Sequence, residues 1–159
     1  MPNDLQNDFT FSHVGVAVSD LQASLRFYRD GLGFKEGALI EPEEKLSPLL
    51  GLRPPIEMKC QFLRLGSMVV ELIEFKQPAF VAAPEVPRPL NHAGLTHLSF
   101  RVDDVDAMAE RLERLGGTIQ HSTRVEEKDH GVDAQIVFVV DPDGTRIELM
   151  SYPHSVQFA

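Results

Sequence analysis

The chain has 159 residues, of which 43% are hydrophobic, and its 15 basic and 24 acidic residues give a net charge of −9. This length and apolar fraction suit one globular domain with its own core. The acidic balance, without a basic run, argues against a nucleic acid or an anionic membrane as partner.

The first elements along the chain are a polar leader over residues 1 to 8 and a strand over Phe9 to Val18. The strand ends with a valine at every second position. This pattern predicts that the valine face meets a helix layer and that His13 lies on the opposite face. A helix follows from a cap at Ser19 or Asp20 to the glycines of residues 31 to 33.

The region from Lys35 to Lys59 is the least regular part of the sequence. It contains several prolines, and a short helix is predicted around EEKLSPLLG. Proline limits long helices and central strands, so the region is predicted to run over the surface rather than to add to the sheet. Two interpretations stay open for residues 38 to 59, a lid over a site and a passive loop.

A hairpin follows in CQFLRLGSMVVELIEF, with Gly66 and Ser67 as the turn between two apolar runs. In its second strand Glu71 shares a face with Val69 and Ile73. A carboxylate among apolar neighbours needs a partner such as a metal ion or a cation.

The second half of the chain begins after a proline-rich linker over residues 76 to 92. A strand over Leu95 to Val102 carries His97 on the face opposite its larger apolar side chains. An Asp-capped amphipathic helix follows and ends at Gly116.

The last predicted elements are strands and one loop. A short strand over Thr118 to Gln120 leads into a polar loop over residues 121 to 133. Two further strands are joined by the turn sequence DPDG. The final strand places Glu148 between apolar neighbours.

The two halves repeat each other. Counted from His13 and from His97, both halves have Val at +5, Asp at +7, Ala at +10 and Gly at +20. Such a repeat means that one supersecondary unit was built twice. The sequence therefore predicts an α+β fold with two modules, about 9–75 and 93–152, inside a single domain of residues 1–159. Each module has a strand, a helix and three strands.

Each module offers one histidine on its first strand and one glutamate on its last: His13 with Glu71, and His97 with Glu148. If the modules pack about a pseudo-twofold axis, the four side chains converge. Two imidazoles and two carboxylates suit Zn, Ni, Co, Mn or Fe(II) rather than calcium. Such a metal stabilises charge on an enolate while Glu148 or Glu71 moves the proton as catalytic base. For each residue alone, a hydrogen-bonded structural role is the alternative.

The single cysteine and the remaining histidines and arginines are predicted to have structural or surface roles. Cys60 is predicted to be a small buried side chain. A lone thiol and a polar, acidic N-terminus favour a soluble cytoplasmic protein. Solvated or ion-paired side chains are favoured over a substrate-anion site at Arg64, Arg101 and Arg146. Surface positions are expected for His92, His121, His130 and His154.

Three segments resemble the vicinal oxygen chelate (VOC) superfamily: HVGVAVSDLQASLRFYRDGLGF, GLTHLSFRVDDVDAMAERLERLGG and DPDGTRIELM. This superfamily contains glyoxalase I, methylmalonyl-CoA epimerase, extradiol dioxygenases and the fosfomycin and bleomycin resistance proteins. The resemblance covers about Phe9 to Tyr152. It implies paired βαβββ modules curled around a divalent metal and a homodimeric assembly. It also implies metal ligands at the positions of His13, Glu71, His97 and Glu148.

The resemblance leaves several activities open. HVGVAV followed by DL and FY is similar to methylmalonyl-CoA epimerases. The chain departs from glyoxalase I at Ala17 and Phe75, where that enzyme usually has an arginine and an asparagine for glutathione. We therefore expect an isomerase or lyase that transfers an α-proton of a small carbonyl or thioester substrate.

Two alternatives to that activity remain. The first is an Fe(II) extradiol-type dioxygenase, which would use His13, His97 and Glu148 and would leave Glu71 as an unusual fourth ligand. The second is a drug-binding protein without metal, of the bleomycin-resistance type, against which a retained four-ligand set argues.

Overall fold

The structure is a computed structural model that describes residues 10–84, 88–128 and 133–153. Over these residues, eight strands form two four-stranded mixed sheets. The predicted leader over residues 1 to 8, together with His130 and His154, lies outside the described residues. No helix in the described part of the chain is long and apolar enough to cross a membrane.

The first module builds its sheet from four strands: β1 (Val14–Val18), β2 (Lys35–Ile40), β3 (Glu57–Leu65) and β4 (Met68–Gln77). They lie in the order β1-β4-β3-β2, with β1 parallel to β4 and the other neighbours antiparallel. A parallel pair needs a crossover, which α1 (Leu21–Leu25) and the π-helical turn Arg26–Gly31 provide. The predicted short helix is confirmed by a 3-10 turn, Glu44–Leu46, followed by α2 (Ser47–Leu50).

The second module repeats this topology with β5 (Leu98–Arg101), α3 (Val105–Arg114), β6 (Thr118–Glu127), β7 (Ala134–Val140) and β8 (Arg146–Ser151). Its strand order is β5-β8-β7-β6, and β5 is parallel to β8. The predicted fold of two βαβββ modules is therefore confirmed. The two sheets share no strand pairing in the described residues, so the sheet is not closed around a site within one chain.

Both modules contribute side chains to one shared hydrophobic cluster. The valine face of β1 is turned toward the helices as predicted, with Val18 fully buried. The cluster also contains large side chains from α1, the π-helical turn, α3, β7 and β8, including Leu25, Phe27, Tyr28, Leu112, Val139 and Leu149. The apolar faces of the two modules thus cover each other.

Two glycines let the helical segments of the modules approach closely. A Cβ atom on Gly31 would lie 2.7 Å from a methyl carbon of Leu112, and one on Gly117 would lie 2.6 Å from the ring of Phe27. Glycine therefore occupies the two positions at which the helical segments of one module meet side chains of the other. Nearby, the hydroxyl of Tyr28 donates a hydrogen bond of 2.9 Å to Asp141.

The prediction for residues 118 to 133 is wrong in part. The strand does not end at Gln120 but continues as β6 to Glu127, with a register shift between Gln120 and Val125. A polar loop was expected because HSTRVEE has few apolar residues. An edge strand that is largely exposed needs no apolar alternation, since little of it is buried.

The same reason explains a second difference. Residues Lys35–Ile40 form β2, although this part of the irregular region was expected to stay outside the sheet. Every residue of β2 is exposed. The first strands are also shorter than predicted: β1 begins at Val14 and β5 at Leu98, so His13 and His97 each lie one residue before a strand.

Candidate metal centre

The first candidate pair lies on the sheet face that points away from the helices. The Nε2 atom of His13 is 3.2 Å from Oε2 of Glu71, with 35% of the histidine and 15% of the glutamate side chain exposed. Glu71 lies on β4, where Val70 and Leu72 point into the core. The alternation of the strand therefore puts this carboxylate on the opposite, more open face.

The second pair repeats the first in the other sheet. The Nε2 atom of His97 is 3.5 Å from Oε2 of Glu148, and both side chains are half-buried. Glu148 lies on β8 between Ile147 and Leu149, which point into the core. Each predicted histidine thus meets the predicted glutamate of its own module.

A phenylalanine completes each pair. Glu71 lies opposite Phe62 in the β3–β4 ladder, and Glu148 lies opposite Phe138 in the β7–β8 ladder. The ring of each phenylalanine is 5.4 Å from the ring of the histidine in its module, edge-on in the first and tilted in the second. The aromatic contact restricts the orientation of both imidazoles.

A hydroxyl group contacts the other nitrogen of each histidine. Ser12 Oγ is 2.9 Å from Nδ1 of His13, and Thr96 Oγ1 is 3.0 Å from Nδ1 of His97. In the tautomer in which Nδ1–H donates to this oxygen, the lone pair of Nε2 points toward the glutamate carboxylate. Metal-binding histidines typically use their second nitrogen in this way. These hydroxyls were not predicted from the sequence, although both occupy the position before the histidine.

The two carboxylates receive different second contacts. The hydroxyl of Ser99 donates a hydrogen bond of 2.6 Å to Oε2 of Glu148. Glu71 instead lies near the thiol of Cys60. Burial, reinforced by the neighbouring carboxylate of Glu71, raises the pKa of the Cys60 thiol to about 12. The thiol therefore stays protonated at neutral pH, and the prediction that Cys60 is buried is confirmed.

The spacing within each pair fits a shared metal ion. Ligand atoms about 2.1 Å from one ion, at angles between about 90° and 110°, lie about 3.0 to 3.5 Å apart. The two nitrogen-to-oxygen distances, 3.2 and 3.5 Å, match this range. The donors are imidazole nitrogens and carboxylate oxygens, which first-row divalent metals accept. The residues present therefore fit the implied metal.

The two pairs do not meet within one chain. Over residues 10–84, 88–128 and 133–153, no three His, Cys, Asp or Glu side chains come close enough to hold one ion. A cleft of about 1000 Å³ runs from β1 to the beginning of β5 and the β7–β8 turn, and of the four residues it includes His97. Each chain thus presents two half-sites on separate sheets.

The segment between β2 and β3 packs beside the first half-site. Leu50 and Leu52 contact a small cluster of Ile56, Met58 and Cys60. Three further members of this cluster lie on the half-site's own strands: Phe62, Ile73 and Phe75. The segment therefore forms an apolar wall next to Glu71.

The other histidines and arginines named in the sequence are exposed or donate hydrogen bonds to backbone carbonyls. His92 and His121 are exposed, as predicted. The guanidinium of Arg101 lies 4.6 Å from the ring centre of Tyr152 and donates to the carbonyl of that residue. Arg146 donates to the carbonyl of Arg88 in the linker.

Comparison with known proteins identifies relatives along most of the chain. The "Uncharacterized protein YaeR" of Escherichia coli is 31% identical over 139 residues, which are 86% of this chain and 92% of that protein. An ethylmalonyl-CoA/methylmalonyl-CoA epimerase of Cereibacter sphaeroides is 27% identical over 87% of this chain and 94% of its own. A lactoylglutathione lyase of Salmonella typhimurium is 30% identical, with 87% and 89% covered.

The fold and the family agree with these relatives. A glyoxalase family protein from Bacillus cereus superposes with a TM-score of 0.75 at 20% identity, covering 93% of this chain and 97% of that chain. The sequence profile of the "Glyoxalase/Bleomycin resistance protein/Dioxygenase superfamily" matches residues 10–149. The chain therefore belongs to the glyoxalase/bleomycin resistance protein/dioxygenase superfamily, as its resemblance to VOC proteins indicated.

Proposed function

We propose that this protein is a divalent-metal-dependent isomerase or lyase that transfers an α-proton of a small carbonyl or thioester substrate. The observation that carries the proposal is the repeated His–Glu pair. In each module Nε2 faces a carboxylate oxygen at metal-ligand spacing while a hydroxyl contacts Nδ1. Relatives named as an epimerase and as a lyase support this class of reaction.

His13, Glu71, His97 and Glu148 would hold the metal. When bound, a divalent ion with open positions acts as a Lewis acid that stabilises negative charge on a substrate carbonyl oxygen. The donor set suits Zn, Ni, Co, Mn or Fe(II). The histidines serve as ligands through Nε2 and do not carry the transferred proton.

The proton is moved by a carboxylate of the chain. Glu71 or Glu148 accepts the proton from the carbon next to the carbonyl and returns it to carbon, which is general base and then general acid catalysis. Both carboxylates are mostly shielded from solvent, at 15% and 18% exposure. The apolar wall around Leu50 and Leu52 packs in one cluster with Phe62, which lies opposite Glu71 in the sheet.

The complete site is proposed to form between two copies of the chain. Each chain carries two half-sites that lie apart, and a twofold axis brings the first module of one copy to the second module of the other. This homodimer has two complete sites. Each site takes His13 and Glu71 from one subunit and His97 and Glu148 from its partner.

Metal content tests the proposed site. Purified protein is analysed by mass spectrometry beside His97→Ala and Glu71→Ala, with the exposed His121→Ala as the control. We expect about one divalent ion per chain, lost in both ligand variants and kept in the control. Metal that survives Glu71→Ala but not His97→Ala would favour the three-ligand dioxygenase. No metal after reconstitution would refute the enzyme as proposed and favour a binding protein.

Mixing of two inactive variants tests the shared site. A heterodimer of His13→Ala and His97→Ala has one site with both changes and one with neither, if the ligands come from two subunits. We expect the mixture, after unfolding and refolding together, to regain metal and activity at part of its sites. If the ligands come from one subunit, every site keeps one defect and mixing restores nothing.

A further inference from the structure

We propose that Arg101 is a substrate-binding residue and that the substrate carries an acidic group, a carboxylate or a phosphate, in addition to its carbonyl group. The inference rests on the proposed function, because it names the class of carbonyl compound that the metal site takes. The carbonyl group binds beside the second half-site, and the acidic group binds further along strand β5, at the guanidinium of Arg101.

Arg101 lies on the open face of the second sheet, in line with the half-site. In β5 the side chains of Leu98 and Phe100 pack on the core, so the alternation of the strand turns Ser99 and Arg101 to the other face. On that face the hydroxyl of Ser99 donates a hydrogen bond to Glu148. Arg101 follows Ser99 by two residues, which places it about 7 Å further along the strand.

The guanidinium of Arg101 is held in place by Tyr152, the residue that follows β8. Its central carbon lies 4.6 Å from the centre of the tyrosine ring. Its Nη2 atom also donates a hydrogen bond of 3.0 Å to the carbonyl oxygen of the same residue. The cation and the ring attract each other, so the side chain is oriented before a ligand arrives. An oriented guanidinium loses less conformational freedom when it binds an anion.

Arg101 is not used for an ion pair in the part of the chain that the structure describes. Arg29 and Arg124 form ion pairs with carboxylates of the chain, whereas Arg101 forms none among the described residues. Asp104, three residues later, instead caps α3, where its carboxylate accepts a hydrogen bond from a backbone N–H group. A guanidinium has five N–H donors, and the carbonyl of Tyr152 accepts from one of them. Donors therefore remain for a ligand.

The chemistry of the guanidinium identifies the acidic group. Arginine binds carboxylates and phosphates through two parallel N–H donors, because its planar fork matches the spacing of their oxygen atoms. The protein as a whole has a net charge of −9 and repels anions, so an acidic substrate needs a local cation at the site. His97, Glu148 and Arg101 belong to one sheet of one chain. The contact with Arg101 therefore does not depend on how two subunits pair.

Two matched pairs of carbonyl compounds test the inference by binding rather than by turnover. The first pair is levulinate and its neutral methyl ester, and the second is hydroxyacetone phosphate and neutral hydroxyacetone. Calorimetry gives the dissociation constants with the zinc-loaded protein. We expect the acidic member of at least one pair to bind about tenfold or more tightly than its neutral partner, the effect of one hydrogen-bonded charge. The pair with the larger ratio distinguishes a carboxylate from a phosphate.

Substitutions of Arg101 separate its contact from direct binding of the anion to the metal. The affinity ratio should fall about tenfold in Arg101→Gln. It should recover in part in Arg101→Lys, which keeps the charge but not the planar fork. Arg114→Gln, at an exposed position of α3, is the control and should leave the ratio unchanged. Tyr152→Leu removes the ring under the guanidinium and should lower the ratio, whereas Tyr152→Phe should keep it.

The side-chain Nε–H signal of Arg101 in a nitrogen–proton correlation spectrum gives a second readout, which does not need zinc. The signal is assigned by its loss in Arg101→Gln, and the acidic probes should shift it more than the neutral ones. Thermal unfolding midpoints establish that each variant is folded.

The outcomes separate this inference from the proposed function. Equal binding of acidic and neutral probes to the zinc-loaded wild type, or an unchanged ratio in Arg101→Gln, would overturn the inference and leave the metal site intact. A protein that takes up no zinc would overturn the proposed function. In that metal-free protein a shift of the Arg101 signal by the acidic probes would still support the anion contact, and no shift would overturn it too.

Discussion

The hydroxyl of Tyr28 donates a hydrogen bond of 2.9 Å to the carboxylate of Asp141, and this bond joins the two modules. Both side chains are buried. Asp141 also accepts hydrogen bonds from the backbone N–H groups of Asp143 and Thr145 in the turn between β7 and β8. Burial raises the pKa of Asp141, and it raises the pKa of Tyr28 well above its usual value.

Removal of this hydroxyl should destabilise the fold. We expect Tyr28→Phe to lower the free energy of unfolding by about 1.5 to 3 kcal/mol, because a buried carboxyl group loses a hydrogen bond. Urea denaturation of wild type and variant gives the difference. A loss below about 0.5 kcal/mol would mean that water or another donor replaces the phenol.

Tyr28 should also make stability depend on alkaline pH. Its pKa is raised in the folded state above the ordinary value of 10.0, so the unfolded chain loses this proton first. The free energy of unfolding should therefore be unaffected below about pH 10 and should fall as the pH rises above it. Urea midpoints measured from neutral pH to about pH 11 should show a smaller alkaline decrease in Tyr28→Phe.

The hydroxyl at Nδ1 of each histidine should strengthen metal binding. Thr96→Val keeps the shape of the side chain but removes the hydroxyl that contacts Nδ1 of His97. We expect a loss of zinc affinity of about tenfold or more, and recovery in Thr96→Ser. Equal affinities for Thr96→Val and wild type would show that the orientation of the imidazole comes from Phe138 alone.

A glutamate of the metal site should carry the proton transfer. In zinc-saturated protein, replacement of the base, by Glu71→Gln or by Glu148→Gln, should slow the exchange of the α-proton with deuterium oxide by about 10² to 10⁴, the usual contribution of a general base. Methylmalonyl-CoA and lactoylglutathione are the two probes, followed by NMR. The larger loss identifies the base, and an unchanged rate in both variants would refute the proton transfer as proposed.

The apolar wall beside Glu71 should depend on one face of α2. Leu50 packs into the cluster next to the half-site, whereas Leu49 is 81% exposed. We expect Leu50→Ala to lower the free energy of unfolding by about 1 to 2 kcal/mol, below the range for fully buried leucines. Leu49→Ala is the matched control and should stay near zero. An equal effect of both changes would mean that α2 does not pack on the sheet.

Cys60 should be an unreactive thiol. With a pKa of about 12, roughly one molecule in 10⁴ carries the thiolate at pH 8, against about a quarter for an ordinary cysteine. Ellman's reagent should therefore react with the folded protein about a thousandfold more slowly than with the urea-unfolded chain. A fast reaction in the folded state would show that the Cys60 thiol is accessible and that its pKa is not raised.

Most of the correct predictions about the fold and the His–Glu pairs came from the internal repeat. The offsets from His13 and His97 predicted two equivalent modules, and the placement of each Glu on its strand predicted the partner of each His. Edge strands were the main omission. The exposed strand β2 and most of β6 lack the alternation that marks a half-buried strand.

Side-chain contacts between neighbouring strands could not be predicted from the sequence alone. Cys60 meets Glu71, and Ser99 meets Glu148, only because of the register between neighbouring strands. The position of Ser12 and Thr96 before each histidine was visible in the repeat, but its meaning depends on the direction of the imidazole ring. How far apart the two pairs lie depends on how the modules pack.

The core shared by the modules also determines how the chain folds. Phe27 packs on Gly117, and Leu112 packs on Gly31, so the helical segment of each module is covered in part by the other module. The two halves should therefore unfold in one cooperative transition. A chain cut in the linker should yield two aggregation-prone fragments rather than two folded domains. The two modules repeat each other in sequence, but a core substitution in one module also affects the stability of the other, because each supplies part of the other's interior.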